Sequence, residues 1–496
     1  MLPVMLDPNS KDPLYRQLYD WFQRAIVSGQ LRPCQRLPST RTLAIELNIS
    51  RIPVLQAFDQ LKAEGYLQTF VGAGTRVSAS IPQETIGRSS RKTRPQSQRK
   101  GPRRISRASA RSKGGAREAW LDLAGAFRMH LPALDHFPSE IWTRLVTRNS
   151  RRRSNAAMAY GSQMGYGPFR EAIAQYLRLV RGVRCEPKQV MVVSGSQQAL
   201  YVSARVLLNP GERVWIEEPG YPGAHVAFGA ADCRLIPVPV DAEGLDVNEG
   251  IRRCRGARAV YVTPSHQYPL GATMSVARRI QLLNWASRTG AWIIEDDYDS
   301  EFRQGIRPIA SLQSLDSDAR VIYVGTFSKA LFPALRVGYV VVPTDLIRAF
   351  STARDAMDIF PPTLSQAVLA DFIQEDHFSR HIRRMRVLYA ERCNALVEAL
   401  QTEMGDLLEV VNGEAGMHLV GLLPTGLKDV GVSRKAAEYG VSVMPLSNCC
   451  LERPSRSGLV LGYGAADQLQ IQQGVLKLKA AVEALMRTAT GPALPR

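Results

Sequence analysis

The fold of the larger part of this chain is decided by the stretch Val321-Ile322-Tyr323-Val324-Gly325-Thr326-Phe327-Ser328-Lys329. The first five residues carry no charge and are rich in β-branched and aromatic side chains, which predicts a strand buried on both faces. A lysine follows just past the strand end, among apolar neighbours. An amine in such a place loses part of its hydration, so its pKa falls and it becomes a Schiff-base nucleophile.

Six further runs of similar composition follow residue 119: Val190–Val193, Arg213–Ile216, Arg234–Val238, Ala259–Val262, Trp292–Glu295 and Gly338–Val342. Helical patterns separate them, as over Arg278–Thr289. This alternation predicts a largely parallel α/β sheet that helices cover on both faces. From about Ser365 onward, long helices alternate with weaker strand signals, which predicts a smaller α+β lobe.

Acidic and phenolic side chains follow the predicted strand that begins at Trp292. Asp296 and Tyr298 come directly after it, at the carboxyl edge where open α/β sheets bind ligands. A carboxylate beside a pyridine nitrogen keeps that nitrogen protonated, and the ring then acts as an electron sink. Taken alone, an acidic pair such as Asp296-Asp297 is usually solvated. The interpretation therefore depends on Lys329, which follows a strand of the same predicted sheet.

A helix start and an arginine provide groups for an anion. Ser196 and Gln197 follow a strand and Gly195 and open a helix, whose free N–H groups suit a phosphate. Arg336, seven residues after Lys329, adds a fixed positive charge for the same phosphate. A glycine-led helix cap and an arginine are common singly, but their occurrence at strand ends of one sheet predicts a single cofactor site.

Before residue 81 the pattern is that of three short helices and a hairpin. Apolar residues recur at helical spacing from Leu14 to Ile26, Ser39 or Thr40 caps a second helix, and Ser50 caps a third that stops near Gly65. A glycine-rich hairpin follows over residues 66–77. Three helices followed by such a hairpin predict a winged helix-turn-helix (α+β).

The third helix would place its first residues in the major groove of DNA. Ser50 and Arg51 stand there, and arginine suits a bidentate contact to guanine. Phosphate contacts are predicted for Ser39, Thr40 and Arg41 at the start of the second helix. Arg76 near the hairpin tip would lie along the DNA backbone or in the minor groove. The alternative at this point is a small helical interaction domain with surface arginines.

Positive charge is concentrated in one segment between these two patterns. The formal net charge of the chain is +18, and residues 81–118 carry twelve Lys or Arg against two acids. Such a like-charged, Ser- and Gly-containing stretch predicts a basic flexible linker. It either assists DNA binding electrostatically or serves as a solvated spacer. The predicted domains are therefore 12–80, the linker 81–118, and 119–496.

Other features of the sequence point to a cytoplasmic protein without a membrane anchor. No stretch has the length and composition of a membrane span, and the N-terminus carries Asp7 and Asp12 rather than a signal peptide. Seven scattered cysteines without a C-x-x-C pair favour a reducing compartment and argue against a disulfide framework or a zinc site.

The N-terminal motifs resemble the GntR-type winged helix over about residues 12–80. The residues that carry the resemblance are Pro13-Leu14-Tyr15, Leu37-Pro38-Ser39-Thr40-Arg41, Leu43-Ala44, Ser50-Arg51, Gly65-Tyr66 and Gly72-x-Gly74-Thr75. The chain departs from that pattern at Ile52-Pro53. The resemblance implies binding to double-stranded DNA, and a two-fold dimer would read two half-sites.

The C-terminal motifs resemble fold-type I aminotransferases over about residues 120–490. The matching segments are Tyr160, Gly165-Tyr166-Gly167, Arg170-Glu171, Ser194-Gly195-Ser196-Gln197-Gln198, Glu218-Pro219-Gly220-Tyr221, Thr263-Pro264-Ser265-His266-Gln267, Glu295 to Phe302, Ser328-Lys329 and Arg336. This implies pyridoxal 5'-phosphate as the cofactor, held as a Schiff base by Lys329, with Asp296 on the pyridinium nitrogen. Tyr298 would donate to the ring hydroxyl.

The same resemblance implies further cofactor contacts. Tyr221 would stack on the ring, and Ser196, Gln197, Ser328 and Arg336 would hold the phosphate, with Tyr160 reaching it from a second subunit of a homodimer. Aminotransferases place Asn-Pro-x-Gly at the ring hydroxyl, whereas this chain reads Gln267-Tyr268-Pro269-Leu270-Gly271, so Gln267 is counted among the cofactor contacts.

The two domains together resemble the MocR family of regulators. This resemblance implies a DNA-binding protein that binds pyridoxal phosphate and senses the cofactor itself or an amino compound. The run Gly458 to Tyr463 offers no arginine for a substrate carboxylate, although Arg453 and Arg456 stand close by. Two alternatives stay open: an active aminotransferase that carries a DNA-binding head, and a degenerate scaffold that binds no cofactor.

Overall fold

The computed structural model describes residues 4–8, 10–70, 73–79, 125–152, 159–303, 309–411 and 416–489. The chain divides into two compact units, Met1–Arg104 and Ile105–Arg496. The predicted linker, residues 81–118, lies outside the described residues.

The N-terminal unit consists of three helices and a two-stranded antiparallel hairpin. Its elements are α1 (Leu14–Val27), α2 (Thr40–Glu46), α3 (Arg51–Ala63), β1 (Leu67–Phe70) and β2 (Gly74–Val77). The Ser39 side chain accepts a hydrogen bond from the backbone N–H of Thr42 and caps α2, while Ser50 occupies the N-cap position of α3. The predicted winged helix-turn-helix is therefore confirmed.

Helices α1 and α3 bury their apolar faces against each other. Phe22 and Phe58 pack edge to face with ring centroids 5.2 Å apart, and neither ring is more than 1% exposed. Leu18, Val54 and Leu61 complete the contact and are fully buried. Leu43 and Ala44 of α2 belong to the same core, which holds the three helices together because apolar burial is the dominant favourable contribution to folding.

The larger unit begins with an α/β layer structure. Its elements are α4 (Ser139–Arg151), α5 (Gly167–Arg181), β3 (Val190–Val193), α6 (Ser196–Leu207), β4 (Arg213–Glu218), α7 (Pro222–Ala230), β5 (Arg234–Asp241), β6 (Gly244–Leu245), α8 (Val247–Arg253), β7 (Ala259–Val262), α9 (Val276–Thr289), β8 (Trp292–Asp297), β9 (Val321–Thr326) and β10 (Gly338–Val341). The strands form one sheet in the order β3-β10-β9-β8-β7-β4-β5-β6.

The five strands from β9 to β5 in that order are parallel, as predicted. The strand β10 lies between β3 and β9 and runs antiparallel to both, and the short β6 is antiparallel to β5. Successive residues of β9 enter different cores: Ile322 and Val324 pack on the face covered by α6 and α7, and Val321 packs on the face covered by α8 and α9. Burial on both faces explains the uncharged run that identified the strand.

The chain then continues into a smaller lobe. Two helices precede this lobe and pack on the α/β layers: α10 (Ile347–Asp358) contributes Phe350 to the core beside α6, and α11 (Thr363–Gln374) packs against α4 and α5. The elements of the lobe are α12 (His377–Met404), β11 (Glu409–Val411), β12 (His418–Leu422), α13 (Asp429–Glu438), β13 (Met444–Pro445), β14 (Gly458–Gly462) and α14 (Gln468–Ala489). Four strands form an antiparallel sheet in the order β11-β12-β14-β13, which agrees with the predicted α+β lobe. Within the described ranges, no helix combines the length and apolarity needed to cross a bilayer.

The strand β8 extends two residues further than the sequence predicted. Asp296 pairs with Val324 and Asp297 with Gly325 in the parallel ladder, so both acids belong to the strand. Asp is depleted in strands, which is why the predicted strand ends before Asp296. A partner compensates for the burial of Asp297, because its carboxylate accepts a hydrogen bond from the buried guanidinium of Arg181 at 2.7 Å.

The packing of the N-terminal core leads to a stability prediction. Replacing Phe58, which is 1% exposed, by Ala should lower the free energy of unfolding of this unit by about 3–5 kcal/mol, because the cavity cannot be refilled. Phe70→Ala is the matched control, since Phe70 is 47% exposed and surface changes cost about 0.5 kcal/mol or less. Denaturant unfolding of the full chain measures both variants, and equal destabilisation would contradict the packing described.

Candidate functional site

A cavity of about 260 Å³ opens at the carboxyl edge of the large sheet. It is lined by His130, Ser196, Gln197, Tyr221, Tyr261, Tyr268, Asp296, Tyr298, Thr326, Ser328, Lys329, Pro333 and Arg336. Eight of the ten residues predicted for catalysis and cofactor binding are in this lining. The parallel strands β8 and β9 end side by side, and this brings Asp296 and Lys329 to one site.

Lys329 supplies the amine of the site. It follows β9 by three residues, and burial within the cavity lowers the pKa of its amine from 10.5 to about 7, against the opposing effect of Asp299 and Asp296. A large part of the amine population is therefore uncharged near neutral pH. An uncharged amine has the lone pair that attack on an aldehyde requires.

Asp296 supplies an acceptor without a partner. Its Oδ2 accepts a hydrogen bond from the Tyr261 hydroxyl at 2.9 Å, whereas its Oδ1 is buried and has no partner among the described residues. Burial raises the pKa of this carboxyl to about 7; the Tyr261 hydrogen bond lowers it, and Asp297 and Asp299 raise it further. A buried acceptor without a partner is costly, and a ligand N–H such as that of a pyridinium ring would satisfy it.

The opposite end of the cavity has the groups for a phosphate. Ser196 is the first residue of α6, and Ser328 has a buried Oγ without a partner among the described residues. Arg336 donates from Nη2 to the carbonyl oxygen of Ser194 at 2.6 Å. Gly195 has a φ of +82°, and a Cβ there would lie 3.0 Å from Arg336 Nη2, so glycine lets the guanidinium approach the helix start.

Two tyrosines border the space between these ends. Gln197 donates a hydrogen bond to the Tyr221 hydroxyl at 3.4 Å, and the Tyr221 ring lies edge-on to Tyr268 at 5.4 Å. The Tyr298 hydroxyl lies 2.9 Å from His266 Nδ1. The predicted stacking by Tyr221 and donation by Tyr298 remain predictions, and both side chains line the cavity.

Two residues that were predicted to contact the cofactor, Gln267 and Tyr160, do not line this cavity. The side-chain amide of Gln267 is buried and donates to Glu217 and to the carbonyl oxygens of Pro219 and Tyr268. Its hydrogen bonds are thus made inside the protein, where it fixes the loop. Tyr160 is 82% exposed and packs its ring against Phe360, and its expected role concerns a second subunit.

Five lining residues were not predicted from the sequence: His130, Tyr261, Tyr268, Thr326 and Pro333. The sequence contains a signal for Tyr268, because Tyr268 and not Gln267 occupies the position of Asn in the Asn-Pro-x-Gly segment of aminotransferases. Tyr261 belongs to the uniformly apolar strand β7, whose pattern does not reveal which residue turns a hydroxyl to Asp296. His130 precedes the sheet and has no periodic context.

The predicted DNA-contacting residues cluster at the start of two helices of the N-terminal unit. Arg51, the first residue of α3, donates from Nε to Thr40 Oγ1 of α2 at 3.2 Å. Arg41 and Ser50 are exposed beside them, and Ser39 caps α2. The structure thus brings Ser39, Thr40, Arg41, Ser50 and Arg51 together. Arg76 lies on β2 and donates to the carbonyl oxygen of Cys34 at 3.2 Å.

Comparison with known proteins agrees with both units. Residues 14–77 match the family model of bacterial regulatory proteins of the gntR family, and residues 135–458 match that of aminotransferase class I and II. The crystal structure of LysN, an α-aminoadipate aminotransferase from Thermus thermophilus, covers 77% of this chain and 98% of its own with a TM-score of 0.71 and 31% identity. These matches define a DNA-binding regulator with an aminotransferase-type domain that binds pyridoxal phosphate.

Relatives with the same two-part organisation are similar over nearly the whole length. The probable rhizopine catabolism regulatory protein MocR of Rhizobium meliloti is 38% identical over 99% of this chain and 98% of its own length. The pyridoxine biosynthesis regulator PdxR of Corynebacterium glutamicum is 30% identical over 94% and 95%. The chain belongs to the MocR family of GntR-type transcription regulators.

The lowered pKa of Lys329 predicts how cofactor loading depends on pH. The rate at which cofactor-free protein captures pyridoxal phosphate should rise with pH and have its midpoint near 7, because only the neutral amine reacts. The Asp296→Asn variant should move the midpoint lower, since this acid raises the pKa of Lys329. Stopped-flow absorbance measures the rate. A midpoint near 10, the value of an ordinary lysine, would contradict the description of the site.

Proposed function

We propose that this protein adjusts its DNA binding to the chemical state of the Lys329 cavity. The proposal rests on two features of one cavity: the lowered pKa of Lys329 and a buried carboxylate oxygen of Asp296 that has no partner among the described residues. The same chain also contains a helix-turn-helix. The signal is a primary amino compound or the cofactor itself. A ligand acts as a signal only if it binds two conformations with different affinity.

Each group of residues in the cavity would bind a different part of the cofactor. Lys329 would hold it covalently, and Asp296 would keep the ring nitrogen protonated. Ser196, Gln197, Ser328 and Arg336 would bind the phosphate, while Tyr221 and Tyr298 would border the ring. When bound, pyridoxal phosphate supplies an electrophilic carbon that captures primary amines. Asp296 Oδ1 and Ser328 Oγ, which are buried without a partner among the described residues, support this assignment.

The assembly that we propose is a homodimer that binds two half-sites on double-stranded DNA in the cytoplasm. Two-fold symmetry in the protein corresponds to palindromic symmetry in the operator. Tyr160, with its 82% exposed side chain, would contact the phosphate bound to the other subunit. Arg51 would contact a base, and Ser39, Thr40, Arg41, Ser50 and Arg76 would position the head on the DNA backbone and bases.

A working aminotransferase with a DNA-binding head is the second candidate. The intact pair of Lys329 and Asp296 favours it, as does the similarity to solved aminotransferases. Transamination also requires that amino donor and keto acid bind in turn and be released. A turnover assay with amino donors and an α-keto acid separates the two functions, because a regulator needs binding of the amine and no rapid turnover.

The first test asks whether Lys329 carries the cofactor. After reduction with borohydride, peptide mass spectrometry should find a pyridoxyl group on Lys329, and the visible absorbance band should be missing in Lys329→Ala. Lys435→Ala is the matched control, since Lys435 is engaged with Glu438 on α13. An unlabelled Lys329 would overturn the proposal.

The second test concerns the DNA contact of Arg51. Arg51→Ala should weaken binding to the operator by about 5- to 150-fold, which corresponds to 1–3 kcal/mol for a bidentate base contact. Arg24→Ala removes the same charge from the exposed side of α1 and should change affinity much less. Fluorescence anisotropy at fixed salt measures both variants, and equal losses would exclude a specific contact by Arg51.

A further inference from the structure

Five aromatic rings form a wall beside Lys329, on the side of the cavity away from the phosphate end. We define the ring wall as His130, His266, Tyr268, Tyr298 and His418. Ring centroids lie 5.3 Å apart for Tyr268 and His418, 5.5 Å for His266 and His418, and 5.8 Å for Tyr268 with His130 and with Tyr298. Met129, Asp299 and Met417 join four of these rings and Lys329 around a small adjoining hollow.

The ring wall presents hydrogen-bond acceptors. His418 Nε2 lies 3.2 Å from the carbonyl oxygen of Pro269, so this nitrogen carries the proton. Burial, His266 and Lys329 lower the pKa of His418 to about 3. The ring is therefore neutral, and its Nδ1 is left as an acceptor. Such a group accepts from an ammonium or a hydroxyl and offers no charge to a carboxylate.

The charged residues that line the hollow are Asp299 and Lys329. Arg181 and Arg303 lie beyond it, in a separate hollow shared with His266 and Asp299, where Arg181 pairs with Asp297 and Arg303 donates to Thr273. Asp299 lies in the hollow and pairs with His266 at 3.0 Å. Lys329 is the sole Lys or Arg among the described residues that line the hollow, and its amine would be occupied when it holds the cofactor. Arg336 is held at the other end by the Ser194 carbonyl, and Arg456 pairs with Glu409 at 2.7 Å outside the lining.

These features decide which amines the site prefers. A ligand carboxylate beside the ring wall would be desolvated against aromatic faces and Asp299, and an unpaired buried charge is costly. Aromatic faces and carboxylates attract cations instead. From this electrostatic pattern, and resting on the function proposed above, we infer that the effector is a polar primary amine without a carboxylate, such as an amino alcohol, an amino sugar or a diamine.

Pairs of ligands that differ only in the carboxylate test the inference. Ethanolamine is compared with serine, putrescine with ornithine and tyramine with tyrosine, each added to the cofactor-loaded full-length protein. The shift of the cofactor absorbance band and isothermal calorimetry give the affinities. The expected result is at least about tenfold tighter binding of the carboxylate-free member in at least one pair and no pair in which the amino acid binds more tightly.

The variant His418→Leu tests whether the ring wall causes the preference for amines without a carboxylate. His418→Leu should reduce the affinity for the preferred amine about tenfold or more, because it removes the Nδ1 acceptor. His377→Leu at the start of α12 is the matched control and should retain the affinity. Tyr268→Phe provides a milder second variant, and an unchanged cofactor band shows that each variant is folded and loaded.

The outcomes separate this inference from the proposed function. Absence of a pyridoxyl label on Lys329 would overturn both. A labelled protein in which the amino acids bind as tightly as their decarboxylated partners, or in which no carboxylate-free amine, glucosamine included, binds, would overturn this inference alone. Equal affinities of wild type and both wall variants would also overturn it.

Discussion

The structure of the larger unit depends on placing an amine and a carboxylate at the ends of two adjacent parallel strands. Asp296 on β8 pairs with Val324 of β9, and Lys329 follows β9 by three residues. Burial shifts the pKa of each group toward 7, so their charges are much less fixed than at a surface. Such tuning by desolvation is common at functional sites. The hydrogen-bonded ladder between β8 and β9 sets the position of one strand end relative to the other.

Most buried polar groups around this pair have partners inside the protein, although Asp297 Oδ1 and Ser300 Oγ have none among the described residues. Arg181 donates to Asp297 and to Ser265, and Glu295 accepts from the backbone N–H groups of Leu312 and Gln313. Glu217 accepts from Thr263 and Gln267. Asp296 and Ser328 differ from the other residues with an unpartnered buried oxygen because both line the cavity, where a ligand could supply the missing hydrogen bonds.

The sequence predicted the architecture well because the fold follows from burial. Strands β3 and β7 begin and end where the apolar runs do, and Ser39 and Ser50 take their predicted cap positions. The direction in which loop side chains point could not be predicted from the sequence in the same way. Gln267 and Tyr268 are neighbours in sequence, yet only Tyr268 lines the cavity. The choice between them depends on Glu217 from another strand, and no local pattern encodes that contact.

The hydrophobic core of the winged helix, which includes Phe22 and Phe58, shares no residue with the described cores of the larger unit. Each fold therefore closes on its own apolar surface. Exchange of one head for another by gene fusion would require no compensating change in the other core. Recognition of operators and recognition of small molecules can consequently diverge at independent rates during evolution.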